Sequence, residues 1–206
     1  MDVHVVTGID AAGWGPALAA MGRQRARLFV DTLGWRGLVV RDGEERDAFD
    51  TSAATYLLAI DADGEVRGSL RLLPTTGVHM MAAVFPGFVD GPPPCGPDIL
   101  EWSRHAPGLP GWPPAVTEAA RLALHLGVLE FAAARGVTAF TALMETWLVR
   151  RARALGWACT PLGPQQSYGE GQAMAVINPV TPGHLQALRA RTGWNAPVLR
   201  ALPAAA

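Results

Sequence analysis

The stretch AVTEAARLALHLGVLEFAAARGVTAFTALMETWLVRRARALG, residues 115–156, decides the fold class. Residues 115–136 are apolar nearly all round, the pattern of a helix buried on most of its surface. Gly136 stands where a helix C-terminal cap belongs. VTAFTALM (137–144) reads as a strand, and 145–156 as a second helix with an arginine face, again ended by glycine. Helix, strand and helix in succession predict an α/β layered sandwich.

Working outward, QAMAVIN (172–178) reads as a late strand and 182–192 as a last short helix. Upstream, ILEWSRH (99–105) reads as a strand between two Pro/Gly-rich loops, 87–98 and 107–114. TYLLAID (55–61) and EVRGSLRLLP (65–74), joined by an Asp-Gly turn, predict a hairpin, so the sheet is mixed. VHVVTG (3–8) reads as a short strand. Residues 12–33 read as a helix whose apolar stripe runs through Trp14, Leu18, Met21, Leu28, Phe29 and Leu33. Residues 34–52 are acidic and irregular, and GEERDAFD (43–50) sets four acids and one arginine around Phe49.

With 206 residues, half of them hydrophobic, the chain predicts a single domain, 1–206, with one sizeable core. A net charge of −1 offers no basic field for nucleic acid or an anionic membrane. All 17 basic residues are arginine, which excludes a lysine Schiff base or a P-loop. Cys95 and Cys159 lie far apart and read as free thiols of a reducing compartment. The five histidines are scattered, so no metal site is expected. No targeting segment or membrane span is legible, and a cytoplasmic protein is expected.

Several charges fall on elements that otherwise look buried. Arg25 lies on the apolar stripe between Met21 and Phe29, where it is either paired or snorkels outward. Arg71 shares a strand face with Ser69, either a solvated face or part of a site. Glu101 and Arg104 are three apart, on opposite faces of a regular strand. They reach one site only if a bulge or strand end re-aims one of them. Arg150, Arg151 and Arg153 form a helix face that is either plain surface or a docking surface for an acidic partner. Acids on a loop, arginines on buried elements and aromatics between them suit a zwitterionic or cationic small molecule.

Four ordered motifs carry a family resemblance: Arg25-x3-Phe29-x5-Trp35, Glu45-x-Asp47-x-Phe49-Asp50, Arg71-Leu-Leu-Pro-Thr75, and Glu101-x-Ser103-Arg104. RARALGWACTPLGP (151–164) adds a looser match. In these residues the chain resembles the LuxI-type acyl-homoserine-lactone (autoinducer) synthases. The resemblance implies a GNAT-like three-layer α/β/α sandwich with a mixed central sheet. It implies an acyltransferase that joins S-adenosylmethionine (SAM), a substrate and not a cofactor, to an acyl thioester. The acyl donor is an acyl carrier protein or acyl-CoA, and methylthioadenosine is released.

The resemblance assigns Arg25, Phe29, Trp35, Glu45, Asp47, Asp50 and Arg71 to SAM binding, with 34–54 a mobile segment covering it. Glu101, Ser103 and Arg104 are assigned to catalysis, Glu101 as the base for the SAM amine. Asp47 and Asp50 are expected to pair with Arg71 or Arg104. Leu100, His105, Ala142, Met144 and Trp147 are assigned to the acyl pocket, and Arg150, Arg151 and Arg153 to donor docking. Ala142 and Met144 stand where some family members carry a threonine associated with 3-oxo chains, so a chain without a 3-oxo group is expected. Two readings compete: a GNAT acetyltransferase on another amine, and a non-enzymatic binding module. QSYGEGQ (166–172) fits the acetyltransferase CoA-phosphate string, but it precedes a strand-like run instead of opening a helix.

Overall fold

A computed structural model describes residues 1–169 and 171–200. The first half runs β1 (Asp2–Thr7), α1 (Gly15–Arg25), a π-helical segment (Ala26–Thr32), β2 (Val40–Arg41), β3 (Glu44–Glu45), β4 (Thr55–Ile60) and β5 (Val66–Pro74). There follow α2 (Met80–Ala83), a 3₁₀ turn (Pro86–Phe88), β6 (Ile99–Ala106), α3 (Pro114–Arg135), β7 (Ala139–Glu145) and α4 (Thr146–Ala154). The chain continues through β8 (Thr160–Pro161), β9 (Gln166–Ser167), β10 (Gln172–Pro179) and α5 (His184–Thr192).

The main sheet is mixed, in the order β1-β4-β5-β6-β7-β10-β8, with β9 also paired to β10. Strands β6 and β7 are parallel neighbours, and α3 supplies the crossover that parallel strands require. The predicted hairpin is β4–β5, with Tyr56 opposite Arg71 and Leu57 opposite Leu70. The chain groups into two compact units.

The first unit holds Met1–Leu72, Arg104–Glu130 and residues 196–200. Val3, Leu18, Met21, Leu57, Leu58 and Leu70 are fully buried in it. Each such side chain contributes about 1.5–3 kcal/mol by leaving water. Helix α3 is buried as its sequence predicts, and Gly136, at φ 68°, ends it. The predicted helix 12–33 is really two. After Arg25 the hydrogen bonds lengthen by one residue, as in Leu33 N–H to Leu28 O (2.9 Å), and the winding becomes π-helical.

The second unit holds Leu73–Ser103 and Phe131–Asn195. Met81, Phe88, Ala173 and Ala175 form a buried apolar cluster there, packed by Leu143, Leu162 and Tyr168. QSYGEGQ lies in the β9–β10 hairpin, where Tyr168 N–H bonds Gly171 O, and opens no helix. Glu170 of that string lies outside the described residues. Both cysteines are free thiols. Among the described residues no helix is long and apolar enough to cross a membrane.

Gly22 fixes how closely α1 approaches β3. A Cβ on it would meet the Glu44 Cβ at 2.9 Å, a contact that only a backbone shift relieves. Gly22→Leu is therefore expected to lose about 1–3 kcal/mol in urea denaturation, as overpacked sites do, despite the better helix propensity of leucine. Unchanged stability would show that the approach is not tight.

Candidate active site

Arg25 and Arg71 are fully buried guanidiniums of the first unit, and Arg104 is nearly so. They are brought together because α1 ends at Arg25, β5 carries Arg71 inward, and Arg104 departs from regular strand geometry. Arg104 has φ 50°, a left-handed conformation costing of order 1–3 kcal/mol. That local kink re-aims the side chain, which a regular strand would have set opposite to Glu101.

Three carboxylates from the irregular segment meet these arginines in a closed ring. Arg25 donates from Nε to Glu45 (2.5 Å) and, bidentately, to Asp50 (2.9 Å twice). Glu45 accepts from Arg104 (3.0 Å), which also reaches Asp47 (2.7 Å). Asp47 accepts two bonds from Arg71 (2.5 and 3.0 Å), and Arg71 returns to Asp50 (2.9 Å). Positive and negative groups alternate around six members, so the ring balances to zero net charge. Tyr56 Oη adds a bond to Asp50 (2.9 Å).

The same acids order the backbone that bears them. Asp50 accepts from Asp47 N–H (2.9 Å), and Asp47 from Phe49 N–H (2.8 Å). The Phe49 ring lies under Arg71 (5.8 Å), and Arg104 lies over Phe29 (5.7 Å). Phe29, in the π-helical segment, stacks on Trp35 at 4.7 Å and 10°. Burial alone would raise the Asp50 pKa, but the hydrogen bonds and charges of Arg25 and Arg71 outweigh it and hold the carboxyl well below the usual range. Asp47 is likewise lowered: burial opposes, and the bond and charge of Arg71, with the charge of Arg104, prevail. Burial also raises the Tyr56 phenol, helped by the adjacent Asp50 charge.

Glu101 belongs to the second unit. Its carboxylate is buried and accepts the Met80 N–H (2.7 Å) and Met81 N–H (2.6 Å), the first amides of α2. Those amides lack helical partners, so a fixed anion there is satisfied by geometry alone. Thr141 is its register partner on β7 and shares its face, while Ala142 turns the other way.

The remaining assigned residues fall in both units. Leu100, Ala142 and Met144 lie on the opposite face of β6 and β7 from Glu101. Ser103 follows on β6 within the second unit. His105 belongs to the first unit, edge-to-face with His125 of α3 at 5.2 Å, and burial lowers its pKa to about 4. Trp147 is 53% exposed in the first turn of α4, bonds Glu145 (3.1 Å) and lies under Arg151 (5.3 Å). Arg150, Arg151 and Arg153 are exposed on α4, and Arg153 donates to Cys159 O (3.2 Å).

Tyr56 and the Met80–Met81 amides hydrogen-bond assigned acids, and the sequence reading singled out neither. Tyr56 was within reach, because the predicted hairpin sets it directly opposite Arg71. The amides belong to a four-residue helix too short for periodicity to mark.

Residues 16–188 match the autoinducer synthase family. The isovaleryl-homoserine lactone synthase of Bradyrhizobium diazoefficiens is 32% identical over 93% of this chain and 85% of its own. The acyl-homoserine-lactone synthase of Acinetobacter nosocomialis is 34% identical over 68% and 79%. A solved CoA-dependent acyl-homoserine lactone synthase holding SAM and isopentyl-CoA superposes with a TM-score of 0.85 at 30% identity, covering 97% of this chain and 92% of that one. At the level of fold alone, an N-acetyltransferase structure from Lactobacillus plantarum, 17% identical, matches with a TM-score of 0.55 over 88% and 100%.

The chain belongs to the autoinducer synthase family, on a GNAT-like fold. Within that family it is an acyl-homoserine-lactone synthase, an acyltransferase that makes a quorum-sensing signal.

The depressed pKa values of Asp47 and Asp50 set the acid behaviour of the ring. Their contribution to stability is complete above the unfolded value near 3.9 and is lost as pH falls through the lower folded values. Asp50→Asn leaves Arg25 and Arg71 short of a buried partner and is expected to cost about 3–5 kcal/mol in urea denaturation. Its stability is also expected to depend less on pH below 4 than the parent's. A loss under about 1 kcal/mol, with an unchanged acid profile, would remove Asp50 from this role.

Proposed function

We propose that the chain acylates the α-amine of SAM with the acyl group of acyl-CoA and then closes the homoserine lactone ring. The amine attacks the thioester carbonyl, the carbon–sulfur bond breaks, and CoA leaves as the thiol. The SAM carboxylate then attacks its own γ-carbon, and methylthioadenosine leaves with the electron pair of the broken C–S bond. Ring closure needs the carboxylate held close to the sulfonium-bearing carbon, which is an orientation effect.

Glu101 takes the amine proton, directly or through water. Two amides orient its carboxylate, so its lone pairs face a defined direction. In the ring, Asp47 is the acid that contacts SAM, while Glu45 and Asp50 hold the arginines. The observation behind this division is exposure: the Asp47 side chain is 16% exposed, against 0% for Glu45 and 2% for Asp50. Arg25 and Arg71, buried against those acids, position the segment. Phe29 and Trp35 offer a stacked aromatic surface to the cationic substrate. Ser103 and Arg104 act beside Glu101 and within the ring respectively, Arg104 by locking Glu45 and Asp47.

For the donor, the reading favours acyl-CoA over an acyl carrier protein. The superposable synthase structures with TM-scores of 0.85 and 0.81 are described as CoA-dependent. Arg150 and Arg151, exposed on α4, suit the CoA phosphates. Both substrates are cytoplasmic metabolites, which fits a cytoplasmic enzyme.

The single observation that carries the reading is the closed ring, in which the arginine and acid positions of the family motifs meet. Incubating the protein with SAM and an acyl thioester is expected to release methylthioadenosine, faster from acyl-CoA than from acyl carrier protein. No release with either donor, from folded protein, would overturn the synthase reading. Glu101→Gln is expected to slow turnover about 10²–10⁴-fold while SAM binding by calorimetry stays within a few-fold. Near-normal turnover would exclude Glu101 as the base. Asp47→Asn is expected to weaken SAM binding by roughly tenfold, the loss of one charged contact. Unchanged affinity would move the contact elsewhere.

A further inference from the structure

Thr141 is fully buried in β7, yet its hydroxyl has no hydrogen-bond partner among the described residues. A hydroxyl taken out of water without a partner is unfavourable, and valine suits a buried strand position without that cost. The position of Thr141 indicates what its hydroxyl is for. It is the parallel register partner of Glu101, and paired positions of a parallel ladder share a face. Neighbouring strands run about 4.8 Å apart, and one water bridging two oxygens spans up to about 5.5 Å. Side-chain oxygens at these two positions are therefore within reach of a single bridging water.

The other element that holds Glu101 has the same feature. His79 directly precedes Met80 and Met81, whose N–H groups grip the carboxylate (2.7 and 2.6 Å). The His79 ring is buried, and its Nδ1 lies 3.0 Å from Gly77 O. A carbonyl only accepts, so Nδ1 carries the proton and Nε2 presents a lone pair. Nε2 is buried and, among the described residues, also without a hydrogen-bond partner. Buried polar groups are otherwise paired, so unmatched atoms on both elements that hold one carboxylate mark a polar site. A water with two to four such partners is the usual occupant of a site of this kind.

We infer that Thr141 is a positioning residue for acylation, whose hydroxyl holds a water against the Glu101 carboxylate. The inference rests on the synthase reading above and assigns the amine proton the water-borne route. As the C–N bond forms, the SAM nitrogen gives its proton to the water oxygen, and the water gives one of its own to Glu101. The water is regenerated. The electron pair of the broken C–S bond leaves with the CoA sulfur, which takes the proton back from Glu101 as the thiol. Thr141 acts by fixing where the water sits, which is an orientation effect. A hydroxyl suits this task, because it rotates to donate or accept as the water turns.

The test compares Thr141→Val, which keeps the shape and removes the hydroxyl, with Thr141→Ser, which keeps the hydroxyl. Methylthioadenosine release is read with saturating acyl-CoA over a range of SAM, and stability is read by urea denaturation. Thr141→Val is expected to lower kcat by about tenfold or more, with KM for SAM within about threefold of the parent's. Its urea midpoint is expected to be no lower than the parent's, since no bond within the protein is lost. Thr141→Ser is expected to keep kcat within about threefold of the parent's. Parent-like kcat in Thr141→Val, an equal loss in Thr141→Ser, or a lower urea midpoint in Thr141→Val would overturn the assignment and leave the synthase reading standing. No methylthioadenosine from the parent enzyme with any donor would overturn both.

Discussion

Three arginines cannot be buried at the centre of a small unit unless each carries its own counter-charge, and this constraint organises the first unit. Every guanidinium in the ring is paired with carboxylates on both sides, several bonds are bidentate, and the charges sum to zero. Desolvating six charges costs several kcal/mol per ion before any attraction is counted. The arrangement is stable because close geometry and extra hydrogen bonds from Tyr56 and two backbone amides fill the remaining lone pairs. An arginine fork suits this better than a lysine point charge, since it binds two carboxylates in fixed directions. The absence of lysine from the chain thus removes no capability that the ring requires.

Much of this architecture was legible. The β4–β5 hairpin, the parallel crossover through α3 and the late strand β10 follow from apolar runs, an Asp-Gly turn and an all-apolar helix. The motif residues Arg25, Glu45, Asp47, Asp50, Arg71 and Arg104 were individually ambiguous. Burying a charge on an apolar stripe had a snorkelling alternative, and only the partners decide against it. Strands β2, β3, β8 and β9 each span two residues, too few for alternation to register. The π-helical turn after Arg25 was hidden because a change of one residue in hydrogen-bond length leaves the local composition unchanged. Arg104 has a left-handed backbone, a departure from strand geometry that strand-like spacing does not reveal.

The second unit solves a different problem. Glu101 is an anion held by the backbone amides of Met80 and Met81. Backbone amides fix the direction of its carboxylate, which suits the role assigned to it. His105 and Trp147, assigned to the same pocket, belong to different units. His105 is buried beside His125 in the first unit, and Trp147 projects from the first turn of α4 toward solvent. Sequence order alone does not separate these directions, because each depends on where a strand bends or a helix begins.

The ring has a topological property that a chain of salt bridges lacks. Each of its six members has two neighbours, so cutting any one link leaves a single connected string. Two cuts are needed before any part comes away. The segment carrying Glu45, Asp47 and Asp50 is thus attached redundantly, through three independent anchors on three different elements. Such a closed circuit converts a floppy, aperiodic stretch of polypeptide into a part with a defined rest position. It also makes the effects of paired substitutions on opposite sides of the circuit larger than the sum of their single effects, as for any latch with a spare catch.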